Sequence, residues 1–252
     1  MITTRPDIAF TVSRLARFNQ NLSVEHHEAV DQVIRYLYRT RGLAIVYGGS
    51  TTGRCDKGAR AFVCASDASF ADNSVDRKSS QGYAMTLFGG AIAWRANKQD
   101  TVTTSSTEAE LLSLSQTAKE AIFMSRLFKA ITLRLNEPLT IHCDNTQTLR
   151  LLKEDSAKLN TKLRHVDIHQ HWLRQEYTAR RVLFEWIPTT EMIADGFTKA
   201  LPKQKFQNFV QMVGMVDISD RLRDEKRMEA LRETLKARKA DEDPEIEVRL
   251  IY

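Results

Sequence analysis

Apolar positions along the chain repeat first at helical and then at strand spacing. Behind Pro6, a residue suited to a first helical turn, Ile8, Val12, Leu15 and Ala16 predict a helix over Arg5 to Phe18. A second helix is expected from Val24 to Thr40, with Ser23 as its cap, Gly42 as its stop and Ala29, Val33, Tyr36 and Leu37 as its buried stripe. Leu43 to Tyr47 then reads as a strand. After a loop over residues 51–58, strands are predicted at Arg60 to Asp67, Gly82 to Phe88 and Ala91 to Ala96, the last two joined at Gly89-Gly90. A long helix follows from Ser106 to about Arg134. Next come a strand at Leu139 to Cys143, helices at Thr146 to Lys153 and Arg164 to Tyr177, and a strand at Val182 to Ile187. A helical segment beginning near Thr190 holds Asp195, and a short amphipathic helix covers Phe206 to Val213.

Neighbouring strands this close in sequence make hairpins, whereas strands separated by helices join a sheet in parallel. The expected class is therefore α/β, with a mixed sheet flanked by helices. From Ser219 to Asp243 the chain is dense in interleaved charges, with Leu222, Met228, Leu231 and Leu235 as a thin apolar seam. That pattern predicts a solvated helix, with a short coiled-coil or docking helix as the alternative.

Composition narrows the setting. With 42% hydrophobic and 27% charged residues over 252 positions, the chain has the balance of a soluble globular protein. It lacks an apolar run of membrane-spanning length and an N-terminal leader pattern, so no membrane partner is expected. Cys55, Cys64 and Cys143 form no CxxC pair, which favours a reducing, intracellular location. A net charge of +5 permits a polyanionic partner without requiring one. His26 and His27 are adjacent on a helix and point in different directions, a poor start for a metal site.

The candidate chemistry lies in four acids. Asp67 falls near the end of the first strand of the sheet, Glu110 in the first turns of the long helix, Asp144 just past the next strand and Asp195 in the last helical segment. Glu110 shares a stripe with Leu114, Ala118 and Ala121, so it faces the interior, where a carboxylate needs a partner, a proton or a metal ion. Sites in open sheets form at the carboxyl ends of strands. Four acids gathered there would repel and raise one another's pKa unless a cation relieved them, and hard oxygen ligands suit magnesium or manganese. The expected reaction is two-metal hydrolysis of a phosphodiester. Glu108 rivals Glu110 but fits a capping box with Ser105, and Asp72 rivals Asp67 but lies past the strand end.

The words SDASFAD (Ser66 to Asp72), DRKSSQGY (Asp76 to Tyr83), SSTEAEL (Ser105 to Leu111), CDN (Cys143 to Asn145), LRHVDIHQHWLR (Leu163 to Arg174) and ADGFTKAL (Ala194 to Leu201) carry a resemblance. Together they resemble the ribonuclease H domain of copia-type LTR retrotransposon polyproteins, from about Thr4 to Val216. The resemblance implies a ribonuclease H-like five-stranded mixed sheet over 60–216. It makes 1–50 the end of the preceding reverse transcriptase segment and leaves 217–252 as a charged helical tail, in part disordered. It implies Asp67, Glu110, Asp144 and Asp195 as ligands of two divalent cations, magnesium with manganese as a substitute. Asp67 would bridge both ions, Glu110 and Asp144 would hold one, and Asp195 the other.

The implied substrate is an RNA–DNA hybrid, gripped through phosphates and 2′-hydroxyls. Arg77, Lys78 and Ser80 rank first for that contact, with Asn145, Arg164 and His165 beside them; Lys98, Arg174, Arg180 and Arg181 are further basic candidates. Asn145 reads equally as a helix cap. His165 and His169 share a helix face and are expected to pack with hydrogen bonds or to touch nucleic acid. The mobile histidine that cellular ribonucleases H carry before the last acid has no counterpart between Trp186 and Asp195. With no Asp-Asp pair, the chain lacks the polymerase palm motif, so a polyprotein fragment, a truncated reading frame or a host-retained domain is expected, in the cytoplasm (a virus-like particle) or the nucleus. The alternatives are a catalytically silent remnant that binds nucleic acid or assembles, and another two-metal nuclease of the same fold.

Overall fold

The computed structural model describes residues 4–47, 60–133, 135, 138–154, 159, 161 and 163–242. The predicted loop at 51–58, Cys55, the predicted helix end at Arg134 and the last ten residues lie outside them.

The first helix is shorter than its periodicity suggests. A 3-10 turn at Pro6–Ile8 leads into α1 (Ala9–Ala16), and Val12 and Ala16 sit at the surface. The tight start has a local cause. Asp7 is buried and accepts from Arg5 Nη2 at 2.6 Å and from the Tyr36 hydroxyl at 2.6 Å, which draws the turn inward. Ser23 caps α2 (Val24–Arg39), accepting from the His26 backbone N–H while its own N–H meets His26 Nδ1, so that histidine serves the helix end. Ala29, Val33, Tyr36 and Leu37 do face the protein, but they are only half-buried.

β1 (Leu43–Ile45) is shorter than the predicted strand. The main sheet begins with β2 (Phe62–Ser69), β3 (Ser80–Leu87) and β4 (Gly90–Lys98), a meander of antiparallel pairs. The β3–β4 turn falls at Phe88-Gly89, one residue earlier than Gly89-Gly90. Both residues have positive φ, 50° and 83°, which suits the twist of a two-residue hairpin. α3 (Ser106–Ala130) follows, then β5 (Thr140–Cys143), α4 (Thr146–Lys153), α5 (Arg164–Thr178) and β6 (Leu183–Trp186). β5 joins β2 in parallel and β6 joins β5 in parallel, giving the order β4-β3-β2-β5-β6. This is the mixed five-stranded sheet of a ribonuclease H-like fold.

The segment holding Asp195 is not one helix. A 3-10 turn at Thr189–Glu191 precedes α6 (Asp195–Thr198), a single turn that begins on Asp195 itself. α7 (Lys203–Met212) then leads through Gly214, at φ 76°, into β7 (Met215–Asp217). β7 pairs antiparallel with β1, a strand too short for the periodicity to reveal. α8 (Ser219–Glu242) carries the charged sequence, and its side chains described from Asp220 to Glu233 are mainly exposed.

Two cores flank the sheet. Cys64, Met85, Leu111, Leu114, Ile141, Leu173 and Phe184 fill the side covered by α3, α4 and α5. Ala65, Ala84, Ile193, Phe197, Phe209 and Val213 fill the other, under α6 and α7. Small residues in β2 and β3 let α6 lie close to the sheet. A Cβ at Gly82 would stand 2.7 Å from the Phe197 Cβ and 3.1 Å from Thr198 Cγ2, so a side chain there forces α6 away. Gly82→Val is therefore expected to cost about 1–3 kcal/mol as an overpacking substitution, read in a urea melt. A melt unchanged from wild type would mean that α6 tolerates the displacement.

Candidate active site

The site arises from strand register. β2 and β5 pair in parallel at Cys64↔Ile141 and Ala65↔His142, and the same register carried forward sets Asp144 beside Asp67. Asp67 is opposite Gly82 on the other side, where no side chain separates it from α6. α3 delivers the third acid. Its N-terminus is fixed by Ser105, which accepts from the Glu108 N–H at 3.2 Å. Glu108 Oε2 accepts from the Thr104 N–H at 2.6 Å and hydroxyl at 2.9 Å, one residue before the reciprocal partner a capping box predicts. Burial opposes its charge, but bonds from Thr161 and Thr104 prevail and hold the Glu108 carboxyl below the ordinary range. Ser113, one helical turn on, donates to the Asp67 carbonyl oxygen at 2.8 Å and ties α3 to β2. Glu110 is thereby turned inward, 5% exposed.

Asp67, Glu110 and Asp144 each offer a carboxylate oxygen, and these oxygens lie within 4.8 Å of one another. Asp144 Oδ2 is oriented by the Thr189 hydroxyl at 2.9 Å. Glu110 Oε2 is buried with no hydrogen-bond partner among the described residues. Burial, reinforced by Asp67 and Asp144, pushes the Glu110 carboxyl well above its usual value. Burial likewise lifts Asp67 to about 6, against the pull of Lys199 and with the push of Asp195 and Asp144. An unpartnered buried oxygen beside two further carboxylates fits a hard divalent cation, for which an all-oxygen donor set is suited.

Asp195 reaches the site from the α6 side through a residue not singled out in the sequence. Lys199 Nζ lies 2.7 Å from Asp195 Oδ1 and 3.3 Å from Asp67 Oδ2. Burial disfavours its charge, but the two carboxylates outweigh that and raise the Lys199 pKa. The Thr198 hydroxyl also donates to Asp67 Oδ2. Thr198 and Lys199 both belong to the word ADGFTKAL, and a basic residue four after an acid at the start of a helical turn was the available signal.

The proposed substrate contacts are divided. Arg77, at φ 56°, and Arg164 and His165 are exposed, and Lys78 is half-exposed. Ser80 does not face outward: it is 1% exposed, donates to Asp72 Oδ2 at 2.8 Å and accepts from Arg17 Nη2 at 3.2 Å. Asp72, itself paired to Arg14 at 2.8 Å, anchors the strand start rather than the acidic pocket. Asn145 caps α4, accepting from the Thr148 N–H at 2.9 Å. Lys98 is held by Asp76 at 2.6 Å, Arg181 by Glu176 at 2.6 Å, and Arg174 donates to the Glu154 carbonyl at 2.9 Å. His169 bonds Ser115 Oγ at 2.8 Å, and with His165, Lys119, Arg95 and Asn97 it lines a groove along α3.

No protein-family model matches the chain. It is 36% identical over 215 residues to the retrovirus-related Pol polyprotein from transposon TNT 1-94 of Nicotiana tabacum, a match covering 85% of this chain and 15% of that polyprotein. It is 30% identical over 217 residues to the corresponding polyprotein from transposon RE1 of Arabidopsis thaliana, covering 85% of this chain and 14% of the relative. Among solved structures, the N-terminal ribonuclease H domain of a Mycobacterium tuberculosis protein, fused to maltose binding protein, aligns at a TM-score of 0.41 and 13% identity over 61% of this chain and 98% of that one. The chain thus spans about one seventh of the length of the curated polyproteins it matches. Aligned with them along most of its own length, the chain is homologous to one stretch of the retrovirus-related Pol polyproteins of transposons, and its five-stranded order β4-β3-β2-β5-β6 is that of a ribonuclease H-like domain.

Proposed function

We propose that the chain is a divalent-cation-dependent endoribonuclease that hydrolyses the RNA strand of RNA–DNA hybrids. The observation that carries the reading is the meeting of Asp67, Glu110 and Asp144 around the unpartnered Glu110 Oε2. Asp67, Glu110 and Asp144 would hold one cation, and Asp67 with Asp195 a second. Bound there, magnesium or manganese supplies the Lewis acidity that activates a water and steadies the leaving oxygen.

The chain's own residues do the rest. Thr189 keeps Asp144 aimed at the pocket, and Thr198 keeps Asp67 in place from the opposite side. Glu110, raised well above the usual carboxylate range by burial and its acidic neighbours, holds a proton more readily than a free carboxyl and gives it up when a cation binds. Exposed Arg77 and Arg164, with Lys78 and His165, are suited to phosphate contacts, and the Asn145 amide N–H2 is left to reach a 2′-hydroxyl while its oxygen caps α4. The reverse transcriptase portion of the polyprotein is the proposed partner, supported by relatives about seven times the matched length.

The test is a cleavage assay of the purified protein on labelled RNA–DNA hybrid, duplex DNA and duplex RNA. Only the RNA of the hybrid is expected to be cut, with 3′-hydroxyl and 5′-phosphate ends, in magnesium or manganese and not in EDTA. Failure to cut the hybrid at saturating ion would refute the reading.

A further inference from the structure

The acidic pocket is asymmetric in how its charge is met. On one side, among the described residues, Glu110 Oε2 has no partner and Asp144 Oδ2 has the neutral Thr189 hydroxyl. On the other, an ammonium already stands between Asp67 and Asp195, at 3.3 Å and 2.7 Å. That ammonium and a divalent ion bridging the same two carboxylates cannot share the space. Magnesium binds carboxylate oxygen at about 2.0–2.1 Å and would be pressed against it, like charge to like.

The backbone fixes where this cation starts. Lys199 directly follows α6, its N–H donates to the Asp195 carbonyl at 3.0 Å, and its φ of −133° and ψ of 149° turn the chain extended at that point. α6 lies on Gly82, so the start of the side chain is held close to the sheet. The side chain nevertheless stays 37% exposed, which leaves the ammonium a route to solvent.

We propose that Lys199 is a resident counter-cation of the pocket that governs its ion occupancy. It fills the ground between Asp67 and Asp195, so the pocket takes one divalent ion readily at Asp67, Glu110 and Asp144, and a second only when Lys199 swings out. Lys199 is on this view a positioning residue. It holds Asp67 and Asp195 in register in the ion-free protein and sets the ion concentration at which the second position fills. The inference rests on the nuclease reading, because it takes the four acids as ion ligands.

The experiment is a titration of the full chain with manganese alone, followed by electron paramagnetic resonance of the free ion, for wild type, Lys199→Met, Lys199→Gln and Lys199→Arg. Wild type is expected to show one tight site and one much weaker site. Lys199→Met is expected to strengthen the weak site by about tenfold or more, the scale of removing one close like charge. Lys199→Arg keeps the charge while changing the shape of the side chain. It should therefore keep the wild-type pattern, an outcome that a purely structural role for the lysine would not give. Lys199→Gln, similar in length but uncharged, gives the same readout if the Met variant does not fold. A second-site affinity unchanged in the neutral variants, or two equal sites in wild type, would overturn the role of Lys199 while leaving the nuclease reading intact. No manganese binding by folded wild type would overturn both.

Discussion

Asp144→Asn is expected to reduce hybrid cleavage by about a thousandfold or more while hybrid binding in calcium persists. The scale is that of removing a principal stabiliser of transition-state charge. The change is isosteric, and its oxygen can still accept from the Thr189 hydroxyl, now 2.9 Å from Asp144 Oδ2. Asp144 is half-buried, and the Trp186 indole N–H that bonds its backbone carbonyl at 3.1 Å is untouched by the substitution. Folding should therefore survive, and what disappears is the negative charge that completes the set with Asp67 and Glu110. A matched measurement of cleavage in magnesium and hybrid affinity in calcium separates chemistry from binding. Cleavage at the wild-type rate would remove Asp144 from the ion-binding set.

The second large effect links pH, ion and stability. Asp67 is raised from 3.8 to about 6 by burial and its acidic neighbours, and Glu110 is raised as well. A carboxyl whose pKa is higher in the folded state gives stability that is complete below its unfolded pKa and is lost as pH rises through the folded one. The window is therefore from about 4 to above 6, and stability of the ion-free protein should fall across it. For Asp67 alone the change is about 3 kcal/mol at 1.36 kcal/mol per unit, and Glu110 acts in the same direction. Magnesium opposes the loss by binding the ionised form, so its stabilising effect should grow with pH. Urea melts near pH 5 and near pH 8, each in EDTA and in millimolar magnesium, measure this directly. Ion-free stability that rises across that interval would contradict the raised Asp67 and Glu110.

The sheet and three members of the acidic set were legible because their signals are local. Glu110 announces itself by sharing a stripe with Leu114, Ala118 and Ala121, all of which are fully buried. Asp144 follows from the end of a short apolar strand. The sequence could not show Lys199 between Asp67 and Asp195, because its contact with Asp67 spans 132 residues and depends on α6 resting on Gly82. Ser80 departs from expectation for a related reason. A serine beside Arg77 and Lys78 looks like part of a phosphate-binding surface, yet Asp72 and Arg17 draw it under α1. Phe88 at φ 50° shifts the turn, since propensity places a positive φ on glycine before phenylalanine.

The pairing of Leu43–Ile45 with Met215–Asp217 bears on how the molecule is made. During synthesis the earlier partner leaves the ribosome long before the later one exists, so that edge stays open while the intervening sheet assembles. Closure of this two-stranded clasp is then a late event, reached only when the polypeptide past Asp217 has emerged.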